Sequence, residues 1–421
     1  MEKLLKVTKR LVPTSLFGAL QPYYHSSLAA LASLWYGFPS RKLSIVGVTG
    51  TNGKTTTVTL LYRIATALGY TAGLISTVEN IVGKEAMPTE HTTPDPLTLH
   101  KLFRHMVDAG CTHVFMEVSS HALDQNRVLG VRFSGGIFSN LTHDHLDYHK
   151  TFQNYFDAKK KFFTMLPSGA FALSNTDNDY GTKMLEGILA DTYSYGFKGN
   201  EAFHGEITNI KRDGLDLTFN GAQVSAKLLG KFNAYNLLAT WSACQLLGFD
   251  MEKVNAILKD IEPPLGRFEH FTSPGGVLVV VDYAHTPDAL ENVLKTIRAS
   301  FVGAKIISVF GCGGDRDPMK RKEMGAIGSR LSDSAIFTSD NPRSEDPEKI
   351  LAQMKAGVSL ADDAKVKIIS NRHEAILEAI RLAQTGDIIL CAGKGHENYQ
   401  EIDGVKHHFN DMEEFRNAFG A

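Results

Sequence analysis

Cysteine is scarce in this chain of 421 residues, and none of its four copies forms a CxxC pair. They are Cys111, Cys244, Cys312 and Cys391. The wide spacing argues against a cysteine zinc site and fits a reducing compartment, so we expect a cytoplasmic protein. An excess of charge of one sign is also missing, because 44 basic residues face 46 acidic ones. The balance gives no indication of a polyelectrolyte partner, and no nucleic acid is expected to bind.

A long uninterrupted hydrophobic run is missing as well. The chain begins with a basic segment, Met1–Arg10, and continues with an apolar stretch, Leu11–Phe38, which Pro13, Pro22 and His25 interrupt. No small-residue cleavage site follows, so neither a signal peptide nor a membrane-spanning helix is expected. Two alternatives remain for this stretch, a helix packed on the next domain or a helix lying at a membrane interface.

What the sequence does contain is a glycine-rich loop between a strand pattern and a helix pattern. Ile45–Val48 predicts a buried strand, and an amphipathic run from Lys54 to Leu68 predicts a helix. In such a loop the backbone N–H groups face an anion, the lysine reaches terminal phosphates, and a threonine hydroxyl can hold Mg²⁺. The strict GxxxxGK[ST] spacing would place glycine at Val48, so this loop is a variant. Its candidate ATP-binding residues are Gly50, Thr51, Asn52, Gly53, Lys54, Thr55 and Thr56.

Strand and helix patterns alternate along the chain, which predicts an α/β fold with a doubly wound, mostly parallel sheet in a central P-loop ATPase domain. Pro263–Gly266 is the best linker candidate, and beyond it the alternation restarts as a Rossmann-like second domain. Residues 192–229 predict hairpins at the edge of the first domain. The predicted domains are a short N-terminal segment (1–42), the ATP-binding domain (43–264) and the C-terminal domain (265–421). The predicted strands are Leu43–Val48, Ala72–Ser76, His113–Val118, Gly136–Phe138, Val277–Val281, Lys305–Phe310, Ala335–Thr338, Val366–Ile369 and Asp387–Cys391.

Acidic and imidazole side chains follow two of the predicted strands. Glu117 ends a buried strand, where a carboxylate beside a P-loop is well placed to hold the Mg²⁺ of ATP. Residues 140–149 contain three histidines and two aspartates, which could suggest zinc, although a P-loop enzyme needs Mg²⁺. Lys159 lies in a run of three lysines, for which helix propensity alone predicts a helix with a solvent-exposed lysine face.

The loop Gly50–Thr55 resembles that of the Mur ligase family, which includes the folylpolyglutamate synthases and joins carboxylates to amines with ATP. The run Glu117–Val128 resembles the members that add the third residue of the peptidoglycan stem peptide. The resemblance implies a muramyl-dipeptide site formed by Thr92, Thr93, Ser119, Gln125 and Arg127.

The same resemblance implies two Mg²⁺ ions and a carbamate. In the family a lysine at the position of Lys159 reacts with CO₂, and the resulting anion binds the second ion together with His145. The chemistry is reasonable, because a lysine near two cations is pushed towards its neutral, reactive form. The implied metal ligands are Thr55, Glu117, His145 and Lys159 as carbamate, and the implied catalytic residues are Lys54, Glu117, His145 and Lys159. Further ATP contacts implied by the resemblance are Asn236, Arg267 and Asp282.

Three segments of the second domain follow apolar runs and therefore lie at predicted strand ends, where an open α/β sheet places its ligands. They are residues 310–317, 340–343 and 393–397. In the diaminopimelate-adding members of the family, an arginine at the position of Arg343 pairs with the distal carboxylate of the incoming amino acid. The implied amino-acid site consists of Arg316, Asp340, Asn341, Pro342, Arg343, Gly393 and Glu397.

The expected activity is therefore ATP-dependent addition of meso-diaminopimelate to a muramoyl-L-alanyl-D-glutamate through an acyl phosphate. Only about 42 residues precede the P-loop strand, where these synthetases have a uridine-binding domain, so that domain is expected to be largely absent. Whether the acceptor must carry UDP stays open, as does the oligomeric state. The alternatives are a folylpolyglutamate synthase-like ligase and a non-catalytic nucleotide-binding partner subunit.

Overall fold

The computed structural model describes residues 14–89, 91–142 and 144–420, so Met1–Arg10 and His143 lie outside the described residues. Contacts divide the chain into two compact units. The first contains residues up to 206, 217–224 and 235–261, and the second contains 207–216, 225–234 and 262–421. The predicted domain boundaries stay predictions. No helix in the described part of the chain is long and apolar enough to cross a membrane.

The first unit is built on a sheet with the P-loop strand near its middle. Ser44–Thr49 (β1) pairs in parallel with His113–Glu117 (β5) on one side and Gly135–Phe138 (β6) on the other. Val48 lies opposite Glu117 in this register, so the P-loop and the acidic strand end meet at one edge of the sheet. The remaining strands are β2 (Ala72–Ile75), β3 (Asn80–Val82), β4 (Glu85–Met87), β7 (Phe171–Asn175), β8 (Asp191–Gly196), β9 (Phe203–Ile210), β10 (Leu215–Phe219) and β11 (Ala222–Ala226).

The strand order is β11-β10-β9-β8-β7-β6-β1-β5-β2-β3-β4, and helices follow most of the parallel strands. A buried apolar cluster that includes Ile45, Phe103 and Phe162 packs against this sheet. The helices are α1 (Thr14–Trp35), α2 (Lys54–Ala67), α3 (Pro96–Asp108), α4 (Ser120–Asp124), α5 (Leu146–His149), α6 (Phe152–Thr164), α7 (Gly181–Leu185), α8 (Lys231–Leu246) and α9 (Met251–Asp260), and Pro39–Lys42 is a 3₁₀ turn.

The predicted α/β fold class is confirmed, and each strand predicted in this unit is present within a residue or two. The hairpin prediction for residues 192–229 is wrong for β8, which pairs in parallel with β7 and β9. The short helix α7 connects β7 to β8. Its five residues are too few to show a helical periodicity of apolar residues in the sequence. The later strands β9, β10 and β11 do follow one another at the edge of the sheet, with Asp213-Gly214 and Asn220-Gly221 in the two connections.

Helix α1 packs on this unit through part of its surface. Ala29 and Ala32 are buried, and the Asn126 amide donates a hydrogen bond to the Ser26 hydroxyl. Leu31 and Trp35 lie on its exposed face. The packed-helix alternative therefore accounts for one face of the N-terminal apolar stretch.

The second unit has its own sheet, with apolar clusters on both faces. Its strand order is β12-β13-β17-β14-β15-β16, antiparallel at β12 and parallel elsewhere. The strands are β12 (Glu269–Thr272), β13 (Leu278–Asp282), β14 (Ile306–Phe310), β15 (Ser334–Phe337), β16 (Val366–Ile368) and β17 (Ile388–Ala392), with a separate hairpin of β18 (Tyr399–Ile402) and β19 (Val405–His408). The helices are α10 (Pro287–Ser300), α11 (Met319–Leu331), α12 (Pro347–Lys355), α13 (Arg372–Leu382) and α14 (Asp411–Phe419), and Asp363–Lys365 is a 3₁₀ turn.

A buried ion pair ties the ligand-bearing end of this second sheet together. Arg372 and Asp411 are both inaccessible to solvent and form two contacts of 2.7 Å. The same guanidinium donates to the backbone oxygens of Ala392, at 3.2 Å, and Ser339, at 3.5 Å. The chain segments that follow β15 and β17 are thus fixed to one side chain.

His100, on α3, should make the protein less stable in acid. Its side chain is fully buried, and burial lowers the pKa of the imidazole from 6.5 to about 4. Between these values the unfolded chain binds the proton and the folded chain does not. Stability is therefore lost as the pH falls from 6.5 towards 4, by about 3 kcal/mol in total. Urea unfolding at several pH values, compared between the wild type and His100→Leu, measures this loss.

The control is His407→Gln, which changes an exposed histidine of the second unit. That variant should keep the wild-type dependence on pH, whereas His100→Leu should flatten it. An equally steep loss in His100→Leu would contradict the assignment to this side chain.

Candidate active site

The glycine loop between β1 and α2 is shaped by close approaches that leave no room for side chains. Gly50 and Gly53 have positive φ values of 153° and 86°. A Cβ atom on Gly50 would lie 1.9 Å from the Ser139 hydroxyl, and one on Gly53 would lie 2.3 Å from Oδ1 of Asn236. Both positions therefore require glycine, and Asn236 lies against the loop as the nucleotide-binding prediction needs. The cradle fits a bound phosphate chain.

Two lysines converge on one carbonyl group of this loop. The Lys54 ammonium donates to the oxygens of Gly50 and Thr51 at 2.9 and 2.8 Å, and Lys159 Nζ donates to the Gly50 oxygen at 2.7 Å. Lys159 is only 1% exposed. Burial, followed by the nearby charge of Lys54, lowers the pKa of Lys159 well below its usual value. A neutral amine is the form that reacts with CO₂.

The prediction of a solvent-exposed lysine face, which helix propensity suggested, is wrong. Each of the three lysines of α6 donates hydrogen bonds to a different part of the protein. Lys160 Nζ donates to the carbonyl groups of Lys183 and Met184 at the end of α7. Lys161 Nζ donates to the Leu123 carbonyl near the end of α4. Only Lys159 points at the glycine loop, as the family resemblance implies.

Tyr155 is a site residue that the sequence analysis missed. It lies one helical turn before Lys159, it is fully buried, and its hydroxyl is 3.0 Å from Oγ1 of Thr51. Its ring lies under Lys159 Nζ, 4.5 Å from the centroid. The Thr51 hydroxyl also accepts from the Thr142 N–H at 3.0 Å. The four-residue spacing on a helix was the signal that could have identified Tyr155.

Glu117 is held in place by backbone and hydroxyl groups from β2's end. It is 1% exposed, and its Oε1 accepts from the Thr77 N–H at 2.8 Å. The Thr77 hydroxyl lies 3.2 Å from Oε2 of Glu117 and 3.0 Å from the Thr92 hydroxyl. Thr77 was also missed, because its position in a short loop carries no periodic signal. Thr55, the other predicted ligand of the first Mg²⁺, is buried in the first turn of α2.

The predicted muramyl-dipeptide residues form one connected network beside Glu117. The Thr93 hydroxyl donates to the Glu117 carbonyl at 2.9 Å and accepts from the Ser119 N–H at 3.1 Å. Arg127 donates to the Thr93 carbonyl at 3.1 Å and to Oε1 of Gln125 at 2.9 Å. These contacts connect four of the five predicted residues, and the fifth, Thr92, lies 3.0 Å from the Thr77 hydroxyl that contacts Glu117.

The histidine-rich segment is arranged around aromatic contacts. His145 has a positive φ of 54°, and its Nε2 lies 3.6 Å from Oδ2 of Asp144. Its ring lies 5.0 Å from that of His121 and 6.0 Å from that of Tyr155. Among the described residues, which exclude His143, no group of three or more His, Cys, Asp or Glu side chains could hold a metal ion.

In the second unit, Asn341 is the centre of the predicted amino-acid site. Its amide nitrogen donates to Oε2 of Glu397 at 2.7 Å, and its Oδ1 accepts from Lys394 at 3.2 Å. Gly393 has a φ of 116°, and a Cβ there would lie 2.4 Å from the Asp340 carboxylate. Burial raises the pKa of Glu397, and the nearby Asp340 adds to this. Lys394, which is fully buried, was missed because lysine alone gives no signal for a core position.

Arg343 has a strained backbone and fixed neighbours. Its φ is 52°, and its Nη1 donates to the Gly314 carbonyl at 2.8 Å. Its Nε lies 3.4 Å from Oε2 of Glu401, another residue that the sequence analysis did not select. Arg316, predicted for the same site, is exposed and lies near the Asp315 carbonyl. Nη1 of Arg343 and Cγ of Arg316 both lie near Gly313, 2.9 and 3.8 Å from the position that a Cβ atom there would take.

The two remaining predicted ATP contacts lie near the start of the second sheet. The Asp282 carboxylate accepts from the N–H groups of Phe268 and Ala284, at 2.8 and 2.9 Å, and burial raises its pKa. The Arg267 guanidinium lies over the Tyr283 ring at 4.8 Å. Among the described residues, its buried Nε has no hydrogen-bond partner. An anionic ligand would satisfy that group.

The variant P-loop and the strand-end carboxylate beside it are features of an ATP-using enzyme, and the match to known families gives the class. A Mur ligase middle domain matches residues 48–244, and a Mur ligase, glutamate ligase domain matches residues 266–395. The chain belongs to the Mur ligase family. It is therefore an ATP-dependent, Mg²⁺-using enzyme that forms amide bonds.

Particular relatives narrow this class. The chain is 52% identical to the UDP-N-acetylmuramoyl-L-alanyl-D-glutamate–2,6-diaminopimelate ligase of Parabacteroides distasonis, over 94% of this chain and 82% of the relative. It is 53% identical to the protein of the same name from Cytophaga hutchinsonii, over 91% and 79% of the two chains. A solved structure of a ligase with this name has a TM-score of 0.67 at 34% identity, covering 94% of this chain and 83% of the other.

Proposed function

We propose that this protein adds meso-diaminopimelate to N-acetylmuramoyl-L-alanyl-D-glutamate in peptidoglycan precursor synthesis, in the cytoplasm. The relatives carry this activity in their names, and the observation that supports it most directly is Arg343, which is held against the Gly314 carbonyl in the loop after β15 that also carries Asn341. The segment Asp340–Arg343 and the run Glu117–Val128 count against a folylpolyglutamate synthase-like ligase, because both resemble the peptidoglycan-precursor members of the family. The non-catalytic alternative expects losses among Lys54, Glu117, His145 and Lys159, and all four are present.

The acceptor carboxylate must first become a better electrophile. ATP phosphorylates it to an acyl phosphate, and the amine of the amino acid then displaces phosphate through a tetrahedral intermediate. Thr92, Thr93, Ser119, Gln125 and Arg127 are assigned to the acceptor, since they form one network next to Glu117. Lys54 neutralises charge on the ATP phosphates once its bonds to the loop carbonyls are exchanged for phosphate oxygens.

Thr55 and Glu117 would hold one Mg²⁺, and His145 with carbamylated Lys159 would hold a second. When bound, the ions neutralise the negative charge that gathers as phosphate is transferred. The carbamate forms when the neutral Lys159 amine attacks CO₂ and one proton is released, which leaves a carboxylate on Nζ. Full burial beside Lys54 supports this proposal, because it disfavours the ammonium form.

The proposal is tested by measuring ADP release with ATP, Mg²⁺ and the UDP-linked muramoyl dipeptide over a panel of amino acids. meso-Diaminopimelate should support turnover, and L-lysine should not. Equal use of L-lysine would reject the substrate assignment, while the absence of turnover with any amino acid would reject a ligase acting on this acceptor. The UDP-free dipeptide, included in the panel, answers the open question about the nucleotide.

Arg343→Ala should raise the KM for meso-diaminopimelate and lower kcat/KM. The loss should correspond to about 2–4 kcal/mol of transition-state stabilisation, the scale for breaking one side of a partly buried charged pair. Arg343→Lys should not restore activity, because a carboxylate pairs with two N–H groups of a planar guanidinium. Steady-state kinetics with each substrate varied in turn measure both variants. Arg330→Ala, at an exposed arginine of α11, is the control and should change neither constant.

A further inference from the structure

Helix α1 carries an apolar stripe that the described part of the chain leaves exposed. Tyr24, Leu31 and Trp35 follow one another at spacings of seven and four residues, which places them on one face of a helix. Trp35 is 84% exposed and Leu31 is 65% exposed, and Leu34 and Phe38 are exposed beside them. Single exposed apolar side chains are ordinary, whereas several on one face mark a surface that binds something.

The loop after α4 borders the same surface. A Cβ atom on Gly130 would lie 4.0 Å from the Ser33 side chain, so this loop passes directly beside α1. Its residues Leu129 and Arg132 are exposed, and the Arg132 N–H donates to the Ser40 hydroxyl at 3.3 Å. The loop therefore adds one more apolar side chain and one basic side chain to the border of the stripe.

The charge around the stripe has one sign. Between Lys3 and Val78 the sequence contains no aspartate or glutamate. Arg41 and Lys42 are exposed just beyond the end of α1, and four further basic residues precede the helix in the segment 1–10. An aromatic and aliphatic helix face with a cationic border has the composition that binds the surface of an anionic bilayer.

Asp108 is an acidic residue close enough to act on Lys42, and it is already paired. It lies at the end of α3 and forms an ion pair with Arg104 one turn earlier. The hydrogen bonds from Arg104 lower the pKa of Asp108, and Lys42 adds to this effect. Since Arg104 offsets this carboxylate locally, the border of the stripe stays cationic.

We propose that α1 attaches the protein to an anionic lipid surface, with Leu31, Leu34 and Trp35 among the acyl chains and the flanking lysines and arginines at the lipid phosphates. Ala29 and Ala32, on the opposite side of the helix, are buried against the first unit. The helix therefore lies between this unit and the lipid without crossing the bilayer. Burial of apolar area and attraction to the phosphates act together in such attachment, which is reversible.

A second copy of the chain fits this face less well. Two copies that paired through the stripe would bring their cationic borders together, and like charges in contact oppose association. An anionic lipid surface supplies both the apolar phase and the opposite charge. This difference in charge decides between the two occupants.

The test is co-sedimentation of the full chain with sucrose-loaded vesicles of phosphatidylcholine, with and without about 30% phosphatidylglycerol. We expect at least about tenfold tighter binding to the anionic vesicles, and weaker binding as the salt concentration rises. Trp35 fluorescence should shift to shorter wavelength on binding. The other tryptophan, Trp241, is buried and should not respond.

The double variant Leu31→Gln, Trp35→Gln should lose about tenfold or more in binding, because both apolar contacts with the lipid disappear. It should stay folded, since both side chains are exposed, and it should retain wild-type ADP release. Leu189→Gln, at an exposed leucine elsewhere in the first unit, is the matched control and should bind like the wild type.

No binding of the wild type to anionic vesicles, equal binding to both vesicle types, or unchanged binding of the double variant would each overturn the proposal. A dimer in sedimentation equilibrium that dissociates in the double variant would show that a second copy covers this face instead. The proposed enzymatic function is tested separately by ADP release, because vesicle binding does not depend on turnover.

Discussion

Lys54→Ala should reduce product formation by at least about a thousandfold, or roughly 4 kcal/mol, while the protein stays folded. The ammonium is the only charge that the glycine loop itself supplies, and phosphoryl transfer depends on neutralising the phosphate oxygens. Lys54 is half-buried and donates to two loop carbonyls, so we expect its truncation to leave the apolar packing of α2 unchanged. ADP release and near-ultraviolet circular dichroism, measured on the same preparation, report activity and fold.

Lys101→Ala, which removes an exposed lysine of α3, is the control and should retain full turnover. Lys54→Arg keeps the charge but enlarges the head group, so it should recover little activity. Near-normal turnover by Lys54→Ala would refute the P-loop assignment.

Lys159→Ala should lose activity by about a hundredfold or more, with partial recovery when short carboxylic acids are added. The added acid replaces the carbamate oxygens that the second Mg²⁺ requires. In the wild type, the mass of the intact protein should increase by one CO₂ under bicarbonate, and a ¹³C carbamate signal should appear from labelled bicarbonate. Lys159→Ala should show neither signal.

Lys160→Ala is the informative control for this prediction, since it lies on the same helix. Its Nζ binds carbonyl groups at the end of α7, so we expect a loss of about 1 kcal/mol in unfolding free energy and no loss of activity. If the wild type shows no CO₂ adduct and Lys159→Ala is not rescued by acids, the carbamate proposal fails.

Much of the fold could be predicted because it is encoded locally. β1, β5 and β13 are continuous apolar runs, and each is followed by a turn signal or an acid. The glycines of the P-loop were identifiable because the close approaches to Ser139 and Asn236 leave only one residue type possible. Such positions constrain sequence strongly and can therefore be recovered from it.

Other features depend on contacts between distant segments and leave no local pattern. Lys159, Lys160 and Lys161 are identical in type, yet one is buried against the P-loop and the other two bind helix ends. Nothing in the sequence around Glu401 distinguishes it from an ordinary exposed strand residue. Its ion pair with Arg343, which lies 58 residues earlier, is formed only by the tertiary fold. The hairpin prediction for β8 was wrong because its parallel pairing with β7 depends on the tertiary fold, which leaves no local pattern in the sequence.

The position in the chain of the residues that contact the glycine loop has a consequence for folding during translation. Ser139, Tyr155 and Asn236, which bound the loop, are all encoded well after it. At about 5–20 residues per second, Asn236 is added roughly ten seconds or more after Gly53. Until then the nascent chain cannot gain stability from cellular ATP, since a ligand stabilises only the state that binds it. Truncated products that stop before α8 should therefore remain sensitive to proteases at any nucleotide concentration, whereas ATP should protect the complete chain.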